Sequence, residues 1–397
     1  MYAVGGTGDD PHVRIARILT RLNLGGPARQ VLASDPLLQQ AGHTLRVFAG
    51  EPGPGEGDLF ESLMHRGIDV VRVPSLKRGL SPWDDWNATR FLRRALVEFR
   101  PEVVHTHASK AGTLGRRAAN FVAGARRVHT FHGHVLEGYF PGIVSSALIA
   151  HERRLARRTD RIVAVSHATA DDLLRLGVVE ESRLVVVPPG IDLTPFEGRR
   201  DGALRRRLGL PEEAFLVGII GRLAEVKRPQ RALEVFDLLA GRYPHLHLVF
   251  VGDGPERGAL ERGIRAGTPA RAERLHLLGA MDSMGPILGD LDAVLLTSRT
   301  EGLPVALIEA GAAGVPAVAA AVGGVEEVLA HERTGFVGEN VGELAYGLAR
   351  LLDEPEERAN MGQRARMRVT ARHSAQALAQ RLEALYQTLL QEEPCAC

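Results

Sequence analysis

The chain has 397 residues, of which 45% are hydrophobic and 24% are charged. These values exclude a disordered or fibrous protein and favour two globular domains. No apolar run reaches the length of a bilayer span and no signal peptide opens the sequence, so we expect a cytoplasmic protein. The two cysteines, Cys395 and Cys397, lie in a polar tail, which argues against a disulfide framework or a zinc site.

Charge is distributed unevenly, although the net charge is only +1. Residues 1–190 carry 25 Lys and Arg against 19 Asp and Glu, whereas the remainder carries 24 against 29. A basic first half could contact the inner face of an anionic membrane or a pyrophosphate-linked acceptor. A solvated, arginine-rich surface explains the excess equally well. We expect no nucleic-acid partner.

Strands and helices alternate along residues 12–190, which predicts a doubly wound α/β domain around a parallel sheet. The loop before the first predicted helix contains Gly25 and Gly26, and glycine lets a backbone approach a ligand closely. The predicted strands are 13–19, 44–49, 70–73, 103–107, 127–131 and 161–165. The predicted helices are 28–39, 58–66, 84–99, one that ends at 123, and 145–158.

Five histidines follow or end predicted strands of this half: His105, His107, His129, His132 and His134. They lack a carboxylate cluster and the helical spacing of an HxxxH pair, so we predict that they bind no metal. His105 and His107 could instead tie loops together through hydrogen bonds.

A strand followed by Pro-Pro-Gly at residues 185–192 predicts the connection between two domains, the second of which covers residues 191–374. A leucine-spaced amphipathic helix is predicted at 375–391. The predicted strands of the second domain are 215–220, 247–251, 275–278, 292–298 and 317–322.

A polar turn at residues 299–304 joins a buried strand to a helix predicted at 305–313. Pro304 stands at the helix start, where a proline gives up no hydrogen bond. The turn leaves the backbone N–H groups of Gly302 and Leu303 pointing past the end of the strand. This arrangement predicts an anion pocket.

Two carboxylates flank the predicted pocket, Glu301 in the turn and Glu309 in the second turn of the helix. A carboxylate in such a place can accept hydrogen bonds from a vicinal diol such as a ribose. A second strand then runs into Gly323-Gly324 before another helix. Two strand–glycine–helix units that open on one edge of a sheet predict a site for phosphate and sugar.

The sequence from Glu301 to Glu309, followed by Gly323-Gly324-Val325-Glu326, resembles the Glu-x7-Glu signature of the family-4 glycosyltransferases of the GT-B fold. The resemblance covers residues 13–390 and implies two Rossmann-like domains that face each other across a cleft. It implies that the first domain binds the acceptor, that the second binds a nucleotide sugar, and that the C-terminal helix crosses back to the first domain. It also implies retention of anomeric configuration.

The resemblance implies roles for further residues. Arg222 in Gly-Arg-Leu, together with Lys227, matches the family's diphosphate-binding pair. Two fixed cations can stabilise a leaving diphosphate without a metal, each by ~2–4 kcal/mol in the transition state. His132 matches a histidine that contacts the donor sugar near the leaving group. The segment from His105 to Gly112 is typical of bacterial members that build surface polysaccharides.

The predicted functional residues form three groups. Those assigned to catalysis are His132, Glu301, Arg222 and Lys227. Those assigned to donor binding are Gly25, Gly26, Arg222, Lys227, Gly252, Met281, Glu301, Gly302, Leu303, Pro304 and Glu309. Those assigned to acceptor binding are Lys110 and His134.

We therefore predict a glycosyltransferase that uses a UDP-linked sugar as co-substrate, without a metal or other cofactor, and a glycan, lipid-linked or small-molecule acceptor. Two alternatives stay open: a sugar-nucleotide 2-epimerase of the same fold and a non-catalytic nucleotide-binding protein. A dinucleotide-dependent dehydrogenase is disfavoured, because neither first strand is followed by G-x-G-x-x-G.

Overall fold

The structure is a computed structural model that describes residues 12–23, 25–53, 57–77, 79, 81–133, 136, 142–198, 201–281 and 283–392. It contains two compact units. Of the described residues, those up to Ala164, Ala170–Val187 and those from Leu378 onward form the first unit, and those within Val165–Thr169 and Pro188–Ala377 form the second. The main segment of the second unit thus begins at Pro188, whereas the predicted division follows residue 190.

Each unit is built around a parallel sheet. The first sheet has seven strands in the order β3-β2-β1-β4-β5-β6-β7, and the second has six in the order β10-β9-β8-β11-β12-β13. The strands are β1 (Arg14–Leu19), β2 (Thr44–Ala49), β3 (Asp69–Arg72), β4 (Val103–His107), β5 (Arg126–Phe131), β6 (Arg161–Ala164), β7 (Leu184–Val186), β8 (Phe215–Ile220), β9 (Leu246–Val251), β10 (Leu275–Gly279), β11 (Ala293–Leu296), β12 (Ala317–Ala320) and β13 (Gly335–Gly338).

Helices alternate with these strands through both units, which confirms the predicted doubly wound α/β architecture. Among the described residues, no helix combines the length and the apolar composition needed to cross a bilayer. The helices are α1 (Gly26–Gln40), α2 (Phe60–His65), α3 (Pro82–Phe99), α4 (Ser109–Ala119), α5 (Gly142–Ala156), α6 (His167–Arg175), α7 (Ala203–Leu208), α8 (Pro229–Leu239), α9 (Arg257–Arg265), α10 (Pro269–Ala272), α11 (Gly285–Asp290), α12 (Val305–Ala313), α13 (Val325–Val328), α14 (Val341–Asp353), α15 (Pro355–His373) and α16 (Ala375–Gln391).

The strand order reverses between β1 and β4 in the first sheet and between β8 and β11 in the second. At such a switch point, the loops after the two central strands leave in opposite directions and open a crevice at the carboxyl edge. The fold therefore places a candidate ligand site at the carboxyl end of each sheet.

Helix α16 packs on the first unit, as predicted for the last helix. Its leucines at positions 378, 382, 385 and 389 are buried with Tyr386 against β-strand residues such as Ile15 and Val128. Full burial of a leucine contributes about 1.5–3 kcal/mol, so this stripe holds the end of the chain on a unit whose other residues all precede position 188.

Several predicted helix bounds in the first unit are wrong: α2 covers Phe60–His65 rather than 58–66, α3 begins at Pro82 rather than at residue 84, and α5 covers Gly142–Ala156 rather than 145–158. Two further differences, in α1 and α4, involve glycine. Helix α1 begins at Gly26 rather than at residue 28, because Gly25 serves as its N-cap and Pro27 lies in its first turn, where proline is well suited. Helix α4 ends at Ala119 rather than at residue 123. Single turns follow it, and Gly124 then takes a left-handed conformation with φ +75°.

Candidate functional site

The loops at the carboxyl edge of the second sheet are held together by backbone contacts. A Cβ atom at Gly252, where φ is +141°, would lie 2.0 Å from the carbonyl oxygen of Gly221. The N–H of Leu223 donates to the carbonyl of Asp253 at 3.0 Å. Only glycine permits this close approach, so the loops after β8 and β9 form one rigid rim.

A second close contact joins the turn before α12 to the turn after β12. Gly323 has φ +51°, and a Cβ atom there would lie 1.8 Å from the carbonyl oxygen of Glu301. The N–H of Gly324 donates to the carbonyl of Gly302 at 3.1 Å. The two strand–glycine–helix units predicted from the sequence therefore meet at this edge.

Helix α12 begins at Val305 with Pro304 as its N-cap and ends at Gly314, which has φ +73°. The predicted bounds, 305–313, are confirmed. The first N–H groups of the helix have no partner within it, so its positive end faces the turn that contains Gly302 and Leu303. Leu303 itself is buried in the core of the second unit and anchors this turn.

Glu301 is bound by two donors. Its Oε1 accepts a hydrogen bond from Nζ of Lys227 at 2.5 Å and another from Oγ of Ser298 at 2.6 Å. The Glu301 side chain is 9% exposed, whereas that of Lys227 is 33% exposed. The lysine ammonium is therefore held in one place by a nearly buried carboxylate and remains accessible from one side.

The backbone around Lys227 is fixed as well. It ends a short 3₁₀ turn, and Oγ1 of Thr297 donates to the carbonyls of Lys227 and Arg228 at 3.1 and 3.0 Å. The N–H of Arg299 donates to the carbonyl of Val226 at 2.7 Å. These bonds tie the loop after β8 to the end of β11, and both cation and carboxylate are thereby positioned from two strands.

Arg222 and Lys227 line one small cavity with Thr297 and Ser298, at the carboxyl ends of β8 and β11. Arg222 is exposed. The structure thus brings the two predicted diphosphate-binding cations to the same crevice, although they lie in different turns of the loop.

The remaining predicted donor-binding residues of this unit lie on other parts of the edge. Glu309 is buried on the second turn of α12, with 3% of its surface exposed. Met281 follows β10, packs against the core, and has its sulfur 4.0 Å from Nη1 of Arg207.

The first unit has a polar cluster of a different kind, centred on Arg17 in the middle of β1. Arg17 and Asp35 are both buried, and Nη2 of the arginine donates to Oδ1 of the aspartate at 2.9 Å. Nη1 of Arg17 lies 2.9 Å from Nδ1 of His105 and 3.4 Å from Nε2 of His107. A guanidinium can only donate, so both imidazole nitrogens accept and carry no proton.

These contacts determine the tautomer of His132. His107, with Nε2 unprotonated, has its proton on Nδ1 and donates it to Nε2 of His132 at 3.0 Å. His132 therefore carries its own proton on Nδ1. The chain of hydrogen bonds from Arg17 through His107 leaves the His132 ring with one N–H group, Nδ1–H, that can donate to a ligand.

The histidines of the cluster are neutral. Burial and the positive charge of Arg17 lower the pKa of His132 to about 3, and burial holds the pKa values of His105 and His107 well below 6.5. His132 is partly exposed while its partner His107 is buried. At neutral pH it can donate a hydrogen bond but cannot supply a proton as an imidazolium.

A cavity of about 780 Å³ opens beside this cluster within the first unit. Its lining includes His107, Gly25 and Lys110 and is otherwise rich in apolar side chains such as Leu114 and Leu148. Nζ of Lys110 is held by Oδ1 of Asp85 at 2.6 Å and by the carbonyl of Gly79. His134, the other predicted acceptor-binding residue, lies outside the described residues.

The Gly25-Gly26 segment differs from the expected open loop. Gly25 caps α1, its N–H donates to Oδ1 of Asn23 at 3.3 Å, and Gly26 belongs to the first helical turn. Any ligand contact there is with a helix N-terminus rather than with a free loop.

Comparisons with known proteins agree with the two-unit fold. The model of the family described as Glycosyltransferase Family 4 matches residues 24–195, and that of Glycosyl transferases group 1 matches residues 201–368. The D-inositol 3-phosphate glycosyltransferase of Streptomyces avermitilis is 31% identical over 343 residues, which is 80% of this chain and 71% of the relative. The chain belongs to glycosyltransferase family 4.

Other relatives extend the match. The UDP-Gal:alpha-D-GlcNAc-diphosphoundecaprenol alpha-1,3-galactosyltransferase of Escherichia coli is 28% identical over 86% of this glycosyltransferase and 88% of the relative. The crystal structure of Anabaena HepE superposes with a TM-score of 0.80 at 20% identity, over 95% of this chain and all of that one. The predicted GT-B fold is confirmed, and the protein is a hexosyltransferase that uses a nucleotide sugar.

The buried polar cluster of the glycosyltransferase's first unit was not predicted from the sequence. Arg17, Asp35 and Tyr386 were assigned no role, yet Tyr386 lies with its hydroxyl 2.7 Å from Nδ1 of His105, and Nε2 of His105 contacts the Thr130 hydroxyl at 2.6 Å. One local signal was available: a charged residue in the middle of a buried apolar strand needs a partner. The identity of that partner depends on the fold.

Proposed function

We propose that this glycosyltransferase moves a hexose from a UDP-sugar to a glycan, lipid-linked or small-molecule acceptor with retention of anomeric configuration. Two relatives support the choice of nucleotide, because the Escherichia coli enzyme is named for UDP-Gal and HepE was crystallised with UDP and glucose. The Escherichia coli relative also acts on a diphosphoundecaprenol-linked sugar, which supports a lipid-linked acceptor.

The observation that carries the proposal is the ion pair between Lys227 and Glu301, bound also by Ser298, beside Arg222 at the carboxyl edge of the second sheet. We assign Arg222 and Lys227 to the diphosphate. When the bond between sugar and diphosphate breaks, negative charge grows on the leaving group, and cations already in place stabilise it without reorganisation. Glu301 holds the Lys227 ammonium in position and thereby reduces the entropy lost on binding.

The acidic side chains accept hydrogen bonds from the hydroxyl groups of the donor. We assign Glu309 to the ribose, and Glu301 with the backbone of Gly302, Leu303 and Pro304 to the transferred sugar. Ionised carboxylates accept hydrogen bonds only, so they suit hydroxyl donors and repel phosphate. The N-terminus of α12 supplies the complementary positive potential.

His132 acts through its Nδ1–H group. We assign this neutral donor to an oxygen of the transferred sugar, with Arg17 and His107 as positioning residues that fix its tautomer and ring orientation. Lys110 and the 780 Å³ cavity of the first unit are assigned to the acceptor, with His134 retained as a proposed acceptor contact. Because two side-chain cations serve the diphosphate, we propose that transfer needs no metal ion.

Calorimetric titration of UDP, UDP-glucose and UDP-galactose tests the proposal. For the preferred donor, Arg222→Ala and Lys227→Ala should each weaken binding by about 1.5–3 kcal/mol, a factor of roughly 10 to 200. Arg265→Ala, which removes an exposed ion pair on α9, is the matched control and should leave the affinity unchanged. Unchanged affinity in both site variants would show that Arg222 and Lys227 do not bind the diphosphate.

The stereochemistry and the metal dependence of transfer can be measured separately from donor binding. With the preferred donor and a lipid-linked acceptor, NMR of the product should show the anomeric configuration of the donor, and transfer should continue in excess EDTA. Loss of transfer in EDTA, restored by a divalent cation, would contradict the metal-independent mechanism.

A further inference from the structure

The outward face of α3 carries the chain's two tryptophans. Trp83, Trp86, Arg90, Arg93 and Val97 follow one another at spacings of three and four residues, which places them along one side of the helix. All five are exposed, and the tryptophan side chains reach 71% and 51% exposure. Aromatic residues of this size are rarely left in water without a function.

These side chains form a preorganised surface. The two indole rings stack with their centroids 5.4 Å apart, and the Arg90 guanidinium lies 5.5 Å from the centre of the Trp86 ring. Next to them, the Arg93 guanidinium lies 3.9 Å from the ring of Phe121, which is 53% exposed. We call this set, with Val97, the α3 face.

The helix beneath the α3 face is firmly anchored. Its inner side buries Ala88, Leu92 and Leu96 in the core of the first unit. The Ser81 hydroxyl caps its N-terminus by accepting from the N–H of Asp84 at 3.4 Å. The exposed aromatic residues are therefore held outward by a rigid support, so they lose little conformational freedom on binding a surface.

The charge around the α3 face is positive. Arg94 on the same helix and Arg117 on α4 are exposed as well, and Glu98 is the exposed acid of α3. The acids of the first turn are already engaged by lysines. Asp84 lies 3.8 Å from Lys77, and Asp85 lies 2.6 Å from Lys110.

We propose that the α3 face docks onto a bilayer rich in anionic lipid, with Trp83 and Trp86 at the level of the headgroups and the arginines bound to lipid phosphates. Tryptophan has the apolar body and polar edge that suit the membrane–water interface. Arginines near an anionic leaflet add attraction that salt screens. The proposal does not depend on the proposed glycosyl transfer.

A second copy of the chain suits this surface less well. In a twofold contact the same patch meets itself, so the arginines of both copies would face each other. Its tryptophans and arginines also project from the outer side of a single helix, whereas pockets that anchor a protein partner's side chains are concave.

The two tryptophans make the test direct, because all tryptophan emission comes from the α3 face. With vesicles of phosphatidylglycerol and phosphatidylcholine, the emission should move to shorter wavelength and the protein should sediment with the vesicles. With phosphatidylcholine alone, or in 0.5 M salt, both changes should be lost. Arg90→Glu with Arg93→Glu keeps the tryptophans and should weaken vesicle binding by at least roughly tenfold.

Control variants distinguish binding through the α3 face from nonspecific adsorption of the protein to vesicles. Arg262→Glu with Arg265→Glu makes the same charge change on α9 of the second unit and should leave vesicle binding unchanged. For the aromatic part, Trp83→Ala with Trp86→Ala should reduce sedimentation, whereas Leu238→Ala with Met367→Ala, which removes exposed apolar side chains elsewhere, should not. UDP-sugar affinity should be unchanged in all four variants, which separates this proposal from the preceding one.

Three results would overturn the proposal. The first is unchanged emission and no sedimentation with anionic vesicles. The second is an equal loss of binding in the α3 and α9 charge variants. The third is a shift to shorter wavelength that depends on protein concentration without vesicles and accompanies a doubled mass in light scattering, because it would assign the α3 face to a second copy.

Discussion

The two units place polar groups in opposite ways. In the first, Arg17, Asp35 and three histidines form a largely buried side-chain cluster that holds neutral imidazoles in defined tautomers. In the second, glycine-rich backbone loops present a partly exposed ion pair, Lys227 with Glu301. A buried charge that sets a tautomer needs an opposite charge in contact with it, whereas a cation that binds a diphosphate must keep one side open.

This contrast separates stability from binding. Changing the buried cluster should chiefly alter the free energy of unfolding of the first unit, because a buried charge without its partner is costly. Changing the accessible pair should chiefly alter ligand affinity, because a partly solvated ion pair contributes little to stability.

Lowering the pH should have the largest effect on the free energy of unfolding. The pKa of His132 falls to about 3 on folding, and those of His105, His107 and His129 fall well below 6.5. Between the folded and unfolded pKa values the unfolded chain binds more protons, so stability is greatest above pH 6.5 and falls as pH decreases. The His132 shift alone should cost about 2 kcal/mol between pH 6.5 and 5, and the lowered pKa values of the other three histidines act in the same direction.

Urea unfolding followed by circular dichroism at both pH values measures this loss. Replacing His129 with Gln should make the pH dependence shallower by about one proton. A stability that stays level from pH 6.5 to 5 would show that the histidines are not held neutral by folding.

The next largest effect is expected from breaking the buried ion pair. Arg17→Met leaves the Asp35 carboxylate buried without its cation and should destabilise the first unit by about 3–5 kcal/mol. Asp35→Leu should do the same by orphaning the arginine. The double variant should be less destabilised than the sum of the singles in a urea double-mutant cycle, and strict additivity would contradict the pairing.

Replacing a glycine at the site of the second unit should reduce both stability and UDP-sugar affinity. Gly323→Ala places a Cβ atom 1.8 Å from the Glu301 carbonyl and should cost about 1–3 kcal/mol of stability, together with UDP-sugar affinity. Gly241→Ala is the matched control because a Cβ atom there meets open space. The backbone contact would be discounted if both variants unfolded at the same urea concentration.

The smallest change in stability is expected for the accessible pair. Lys227→Ala should reduce the free energy of unfolding by at most about 1 kcal/mol, since the lysine is 33% exposed. UDP-sugar affinity in the same preparation should nevertheless fall. If stability dropped as far as in Arg17→Met while affinity held, the contrast between the two units would fail.

Much of the secondary structure of both units could be predicted because its signals are local. Pro304 and Gly314 mark the ends of α12, and the strands at 44–49, 103–107 and 215–220 were predicted with the observed bounds, since each is a short run of apolar and β-favouring residues. Local patterns of capping and hydrophobic periodicity need no knowledge of the rest of the chain.

The side-chain pairings could not be predicted in the same way. Lys227 and Glu301 were assigned separate roles, and the ion pair between them joins residues 74 positions apart. Tyr386 and His105 are 281 positions apart and meet only because α16 returns to the first unit. A sequence pattern indicates which residues are charged, but their partners are set by strand order and packing.

Diffraction from crystals soaked with the preferred UDP-sugar gives the most direct test. The expected density has the diphosphate within hydrogen-bonding distance of Arg222 and Lys227 and the ribose hydroxyls on the Glu309 carboxylate. Density for the diphosphate away from the carboxyl ends of β8 and β11, with the Lys227–Glu301 pair untouched, would contradict the account.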